Sequence, residues 1–186
     1  MEVLTASSHL QVKTALDLCS DYIISLLTYA NAGELLRIAD TYTLTRVSDY
    51  YTNKILTTFD EFTATEQFLA LSGSELARYL RDDALHVYSE RALYDAIMRW
   101  YLHDRARVKD LNDVLLHVRF GLMSEEQLAM LTQHALTQTF QPAMKYINEA
   151  RKYHSELNRG HPTLTTSSQV RAVMYSCWLP VCRYVP

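Results

Sequence analysis

Glycine and proline occur only four times each in 186 residues, and that scarcity narrows the fold before any motif is read. Multi-stranded folds need many tight turns, and those turns lean on the left-handed freedom of glycine and the fixed φ of proline. A helical chain needs far fewer of either. What the sequence supplies instead is a series of helix starts. A capping box pairs Ser or Thr with Glu or Gln three residues on, each side chain satisfying a free backbone donor of the other's residue. Thr63 with Glu66, Ser72 with Glu75 and Ser124 with Gln127 fit this pattern, and Asn31 with Glu34 is a weaker variant. Apolar stripes follow these starts. Leu35, Ile38, Ala39 and Tyr42 fall at i, i+3, i+4 and i+7, and Leu93, Ala96, Ile97, Trp100 and Tyr101 do the same and reach i+8, which is the one-sided spacing of a helix packed on a core.

The spacing predicts helices at about residues 13–27, 31–43, 45–59, 64–71, 74–81, 89–103, 111–118, 125–133 and 142–157, with a first short helix over 4–10. Short connections make sequence neighbours pack as antiparallel pairs. The expected fold is all-α: a run of antiparallel helical hairpins with no clean repeat period. After Leu157 the composition changes. NRGHPTLTTSS, from Asn158 to Ser168, reads as a linker, and VRAVMY, from Val170 to Tyr175, has the residue types of one short strand in an otherwise irregular tail.

The bulk properties exclude several classes. A net charge of −3 and a pI near 6.1 argue against nucleic acid as the main partner, since phosphate binding needs a concentrated basic face. The most apolar stretch, Val170–Pro186, is broken by Arg171, Pro180 and Arg183 and falls short of the ~20 residues that span a bilayer, so no membrane association is expected. Three cysteines, Cys19, Cys177 and Cys182, fit a reducing compartment better than a disulfide scaffold.

Enzyme signals are weak. Gly33, Gly73, Gly121 and Gly160 stand alone, so no phosphate-cradling loop forms. Cys177, Cys182 and His161 make at most half of a zinc site, because four closely spaced ligands are needed; no metal and no cofactor is expected. Cys19, among Leu16, Ile23 and Leu27, reads as a small buried hydrophobe. His103–Asp104 suggests part of a triad, but a His at a helix end favours the dipole, and no activated nucleophile accompanies it. His117 reads as a packing residue in a helix. Thirteen tyrosines are many. Tyr50, Tyr51, Tyr79, Tyr88, Tyr94 and Tyr101 fall on or beside predicted helices, most as core residues and a few as contacts for a partner.

Four stretches together resemble the BTB–BACK–Kelch (Kelch-like) family. Residues 4–22, LTASSHLQVKTALDLCSDY, are similar to the last helices of a BTB domain. Residues 35–44, LLRIADTYTL, resemble the opening helix pair of BACK. SERALYDAIMRWYLHD (residues 89–104) looks like the BACK signature in which Ser-Glu opens a helix ending in Trp and His-Asp. LLHVRFGLMSEEQL (residues 115–128) matches the stretch that follows, except that Gly121 stands where the family often has Pro. The resemblance implies three segments: residues 1–27 as a remnant of the BTB C-terminal helices, 28–157 as BACK with the helix pair after BTB (the 3-box), and 158–186 as linker and tail. It also implies a non-enzymatic scaffold of the kind found in cullin-3 ubiquitin ligase substrate adaptors, in the cytoplasm or nucleus, here shortened at both ends. In the family the 3-box groove receives part of the cullin, and Ile24, Leu27, Leu36, Ala39 and Tyr42 are the candidate lining residues. Against that stands the plainer reading that these five are core. The alternative function is a helical interaction protein acting without a cullin, by pairing with full-length relatives or by self-association through apolar surface of residues 1–27.

Overall fold

The computed structural model describes residues 2–134, 137, 138 and 140–158. All regular structure among them is helical; the VRAVMY segment, the linker, His161, Cys177 and Cys182 lie outside the described residues. None of these helices is long and apolar enough to cross a membrane. The chain divides into two compact units, Met1–Gln67 and Phe68–Pro186.

In the first unit, α1 (Glu2–His9) packs on α2 (Lys13–Leu26), and both α2 and α3 (Ala32–Thr41) pack on α4 (Thr45–Thr57). The scarcity of glycine is met by two unusual helix ends. Beyond α3, the Leu44 N–H reaches the Ala39 carbonyl at 2.8 Å and the Thr43 N–H reaches that of Asp40 at 3.2 Å. Beyond α1, the Val12 N–H reaches Ser7 O at 3.0 Å and the Gln11 N–H reaches Ser8 O at 3.2 Å. These are the paired bonds of a Schellman ending, which requires a left-handed residue and usually takes glycine. Here Thr43 (φ 57°) and Gln11 (φ 52°) occupy that place. The half-buried Tyr29 packs on the aromatic part of the unit's core. Its ring lies 5.3 Å from that of Phe62, and its hydroxyl meets the Thr58 hydroxyl at 2.6 Å. Lys54 covers the ring at 5.3 Å and donates to Leu27 O at 3.1 Å.

The predicted helix over 45–59 stops earlier. The Thr57 and Thr58 hydroxyls donate back to carbonyls of Asn53 and Lys54, which competes with helix continuation, and a separate short helix α5 (Phe59–Thr63) follows. Thr63 therefore ends α5, buried and donating to Asp60 O, and is not the cap of the next helix, α6 (Glu66–Ala70). Nor does Asn31 cap α3. Its side chain instead accepts from the Thr28 N–H at 2.8 Å and donates to Leu26 O at 2.8 Å, bracing the turn between α2 and α3.

In the second unit, α7 (Gly73–Arg81) packs on α9 (Val108–Leu115) rather than chiefly on its sequence neighbour α8 (Glu90–His103). Gly73 makes this possible, because a Cβ there would collide with the Asp110 side chain. The two complete capping boxes are those expected at Ser72–Glu75, before α7, and Ser124–Gln127, before α10 (Glu125–Gln133). The helix predicted over 111–118 begins earlier and ends sooner. Asp104 caps a 3₁₀ turn at Arg105–Arg107 that runs straight into α9, and His117 falls in a turn.

The SERALYDAIMRWYLHD segment explains itself in this unit. Ser89 caps α8 by accepting from the Ala92 N–H. Glu90 is buried, and its carboxylate accepts the Arg119 N–H at 3.0 Å, tying the start of α8 to the VRF segment. At the other end of α8 the fully buried Trp100 donates to Leu71 O at 2.9 Å. Arg107 stacks on that indole at 4.7 Å and donates to Leu69 O and Trp100 O. An aromatic ladder then carries the packing to α11 (Gln141–Asn158): Tyr94 meets Phe120 edge-on at 5.9 Å, and Phe120 stacks on Tyr146 at 6.0 Å.

Candidate protein-interaction site

Helix α2 carries more apolar surface than one core face needs. Ile23 and Leu27 point inward and are buried together with Ser20. Ala15, Leu18, Cys19, Tyr22 and Leu26 form a second stripe at i, i+3, i+4, i+7 and i+11, a full helical face of its own. Leu18 and Tyr22 are each 67% exposed and Leu26 46%. With Val3 and Leu4 of α1 and Leu35 and Ile38 of α3, this stripe bounds an open concavity of about 460 Å³. No charged side chain lines it. The charges of α2 lie on another face, where Arg46 of α4 engages Asp21 at 2.7 Å and Asp17 at 3.5 Å. Apart from the Cys19 thiol and the Tyr22 phenol the lining is hydrocarbon, so dispersion and dehydration dominate and the site suits an apolar segment.

The five sequence candidates surround this concavity without lining it. Leu27 and Ala39 are buried, and Ala39 O accepts the Schellman bond that ends α3. Ile24 and Leu36 are half-buried, and Ile24 continues the Asp17–Asp21 line at i+7. Tyr42 straps α1 to the end of α3, its hydroxyl 2.9 Å from that of Thr5. The lining falls one residue earlier at each comparable place: Ile23, Leu26, Leu35 and Ile38. The signal that marks it in the sequence is the second apolar stripe of α2. Cys19 belongs to that stripe and is half-buried, more open than a core cysteine.

The other sequence candidates have structural surroundings of their own. Asp104 is occupied in capping, accepting from the Ala106 N–H at 3.0 Å and facing Arg107 at 3.6 Å. His103 is exposed. Among the described residues no three His, Cys, Asp or Glu side chains converge as metal ligands would. Of the tyrosines, Tyr51, Tyr79 and Tyr94 are buried, while Tyr22, Tyr50 and Tyr88 are exposed.

Compared with known families, the chain matches the model of BACK (BTB And C-terminal Kelch) over residues 33–133. The chain belongs to the BACK family. That match takes in α3 to α10 and both signature segments described above. Curated relatives agree. The chain is 31% identical to Kelch-like protein 31 of Homo sapiens over 131 residues, 70% of this chain and 21% of that protein. It is 33% identical to Kelch-like protein 13 of Bos taurus over 132 residues, 71% of this chain and 20% of that protein. Kelch-like protein 24a of Danio rerio is 30% identical over 150 residues, 80% of this chain and 25% of that protein. The BACK chain thus spans about a fifth to a quarter of the length of these relatives. The BACK signature in this chain is architectural: its Ser, Glu, Trp and Asp cap, tie and fill.

Proposed function

We propose that this BACK chain is a non-catalytic protein-interaction scaffold of the adaptor type, and that the α1–α3 concavity receives an apolar segment of cullin-3. The observation that carries the reading is the concavity itself, about 460 Å³, largely apolar and open to solvent, formed by α1 and α2 with the first helix of the BACK match. Family membership and the Kelch-like relatives support an adaptor role. A largely apolar lining without charged side chains favours a peptide segment over a nucleotide or a polar metabolite, which would leave most of its hydrogen-bonding groups unpaired. A cytoplasmic or nuclear setting goes with this role.

Isothermal titration of the full chain with the N-terminal domain of cullin-3 tests it. Binding is expected, and Leu26→Glu should weaken it by at least about tenfold, since a charge would be desolvated at the centre of the contact. If cullin-3 fails to bind, or binds Leu26→Glu equally well, the proposal falls. A second reading, interaction without a cullin, is favoured by how far Leu18 and Tyr22 stand out from the same face.

A further inference from the structure

We infer that Lys54, which lies outside the concavity, is a positioning residue for it: its ammonium group closes the C-terminal end of α2 and holds α2 and α3 at the angle that shapes the site. The inference rests on reading the concavity as a docking site, and it names a residue that controls that site without lining it. Helix α2 supplies most of the lining and α3 supplies Leu35 and Ile38. Both helices pack on α4, and residues 27–31, which join them, include no glycine. The last carbonyls of a helix have no partner within it. Here side chains take two of them. Asn31 donates to Leu26 O at 2.8 Å, and Lys54 reaches across from α4 to donate to Leu27 O at 3.1 Å.

The ammonium does more than fill one acceptor. A cation at a helix C-terminus opposes the negative end of the helix dipole. The same group lies over the Tyr29 ring at 5.3 Å, where the ring face attracts positive charge. Tyr29 is fixed in turn through Thr58, whose hydroxyl donates to Lys54 O at 2.8 Å and meets the Tyr29 hydroxyl at 2.6 Å. The end of α4 thus grips the turn at Leu27 and again at Tyr29. Among the described residues Lys54 enters no ion pair, so no carboxylate competes for it. A hydrocarbon stem of similar length would supply neither the donor nor the charge. Releasing this grip frees the end of α2, where Leu26 stands in the lining.

Lys54→Met keeps the stem and removes both functions. Titration of the full-length variant with the cullin-3 domain should show a dissociation constant raised about threefold to thirtyfold, the range for residues that modulate a site they do not touch. Its stoichiometry should stay that of the wild type, whereas a purely structural defect would lower the competent fraction and leave the constant alone. Lys54→Arg, which still donates and stacks, should bind within about twofold of the wild type. A second measurement needs no cullin. Cys19 lines the concavity, so its labelling by an apolar maleimide, read on the peptide that carries it, reports on the shape of the site. The rate should change by at least about threefold in Lys54→Met and not in Lys54→Arg, because a loosened junction opens locally more often. Unchanged labelling in Lys54→Met, unchanged binding there, or an arginine variant that behaves like the methionine one overturns the inference. If the wild type binds no cullin-3 domain, the preceding proposal falls and the labelling rates alone decide this one.

Discussion

Thr43 and Gln11 carry a cost that their helices tolerate. A non-glycine residue in the left-handed region loses roughly 1–2 kcal/mol to contact between its Cβ and the backbone, and Thr is among the worse choices because it is β-branched. Glycine would relieve that contact but would give up about 0.5–1 kcal/mol of chain entropy. The balance favours glycine. Thr43→Gly is expected to raise the urea midpoint by the equivalent of about 0.5–1 kcal/mol, with an unchanged denaturant slope. A buried hydrogen bond gives the opposite kind of prediction. Tyr94 meets the fully buried Thr137 hydroxyl at 2.8 Å, and burial pushes the phenol's pKa up while the Thr137 bond opposes the rise. Tyr94→Phe keeps the ring against Phe120 but leaves Thr137 short of a partner. It should cost about 1–3 kcal/mol in thermal or chemical unfolding. Neither position announces itself in the sequence. Thr43 carries no stop signal, since the usual one is glycine, and the Tyr94 partner lies 43 residues away.

Two helices begin with the same device built from different chemistry. Before α7 the Glu75 carboxylate accepts from the Ser72 backbone and hydroxyl. Before α10 the neutral Gln127 accepts from the Ser124 N–H at 3.0 Å. The bonds from Ser72, side chain first and then backbone, hold the Glu75 carboxyl below its ordinary value. A lowered carboxylate pKa adds stability that is present above the unfolded-state value and is lost as pH falls through the folded one. Acidification below the ordinary carboxylate range should therefore loosen the start of α7 and spare that of α10. Hydrogen exchange at the Ser72 and Ser124 amides reads the difference, and Glu75→Gln should abolish the acid response of α7. The end of α8 is held differently. Arg107 reaches two carbonyls while stacked on Trp100, a geometry that needs a planar fork. Arg107→Lys keeps the charge and should still cost about 1–2 kcal/mol, each lost bond to a charged donor being a substantial fraction of that. Capping boxes at Ser72 and Ser124 were legible because their pairing is local. Thr63 and Asn31 matched the same pattern and do not cap, because their side chains found other backbone partners in the folded chain.

For the whole molecule, the helical class was legible from periodicity and from the lack of glycine and proline. The candidate site proposed here draws on the same helices as the residues picked out from the sequence. Alternation of buried and exposed positions fixes which helices carry apolar faces. Which of two faces a partner helix covers depends on packing, and the concavity is lined by Ile23, Leu26, Leu35 and Ile38, each next in sequence to one of Ile24, Leu27, Leu36 and Ala39. The uncharged character of that face makes a further prediction for the contact with the cullin-3 domain. Salt screens charge pairs but does not weaken apolar burial. Raising sodium chloride from about 0.05 to about 1 M should leave the dissociation constant unchanged within roughly twofold or tighten it; a steep loss of binding with salt would contradict an apolar contact.

The tie from Glu90 to the Arg119 backbone and the grip of Arg107 at the far end of α8 turn the stretch between them into a measured length. One residue inserted into α8 would rotate everything beyond it by about 100° and advance it by about 1.5 Å. Arg107 and Arg119 could not then both reach their marks. A change of side chain in this segment removes one contact, whereas a change of length puts the whole segment out of phase. The two signature stretches are thus specified by their separation as firmly as by their letters.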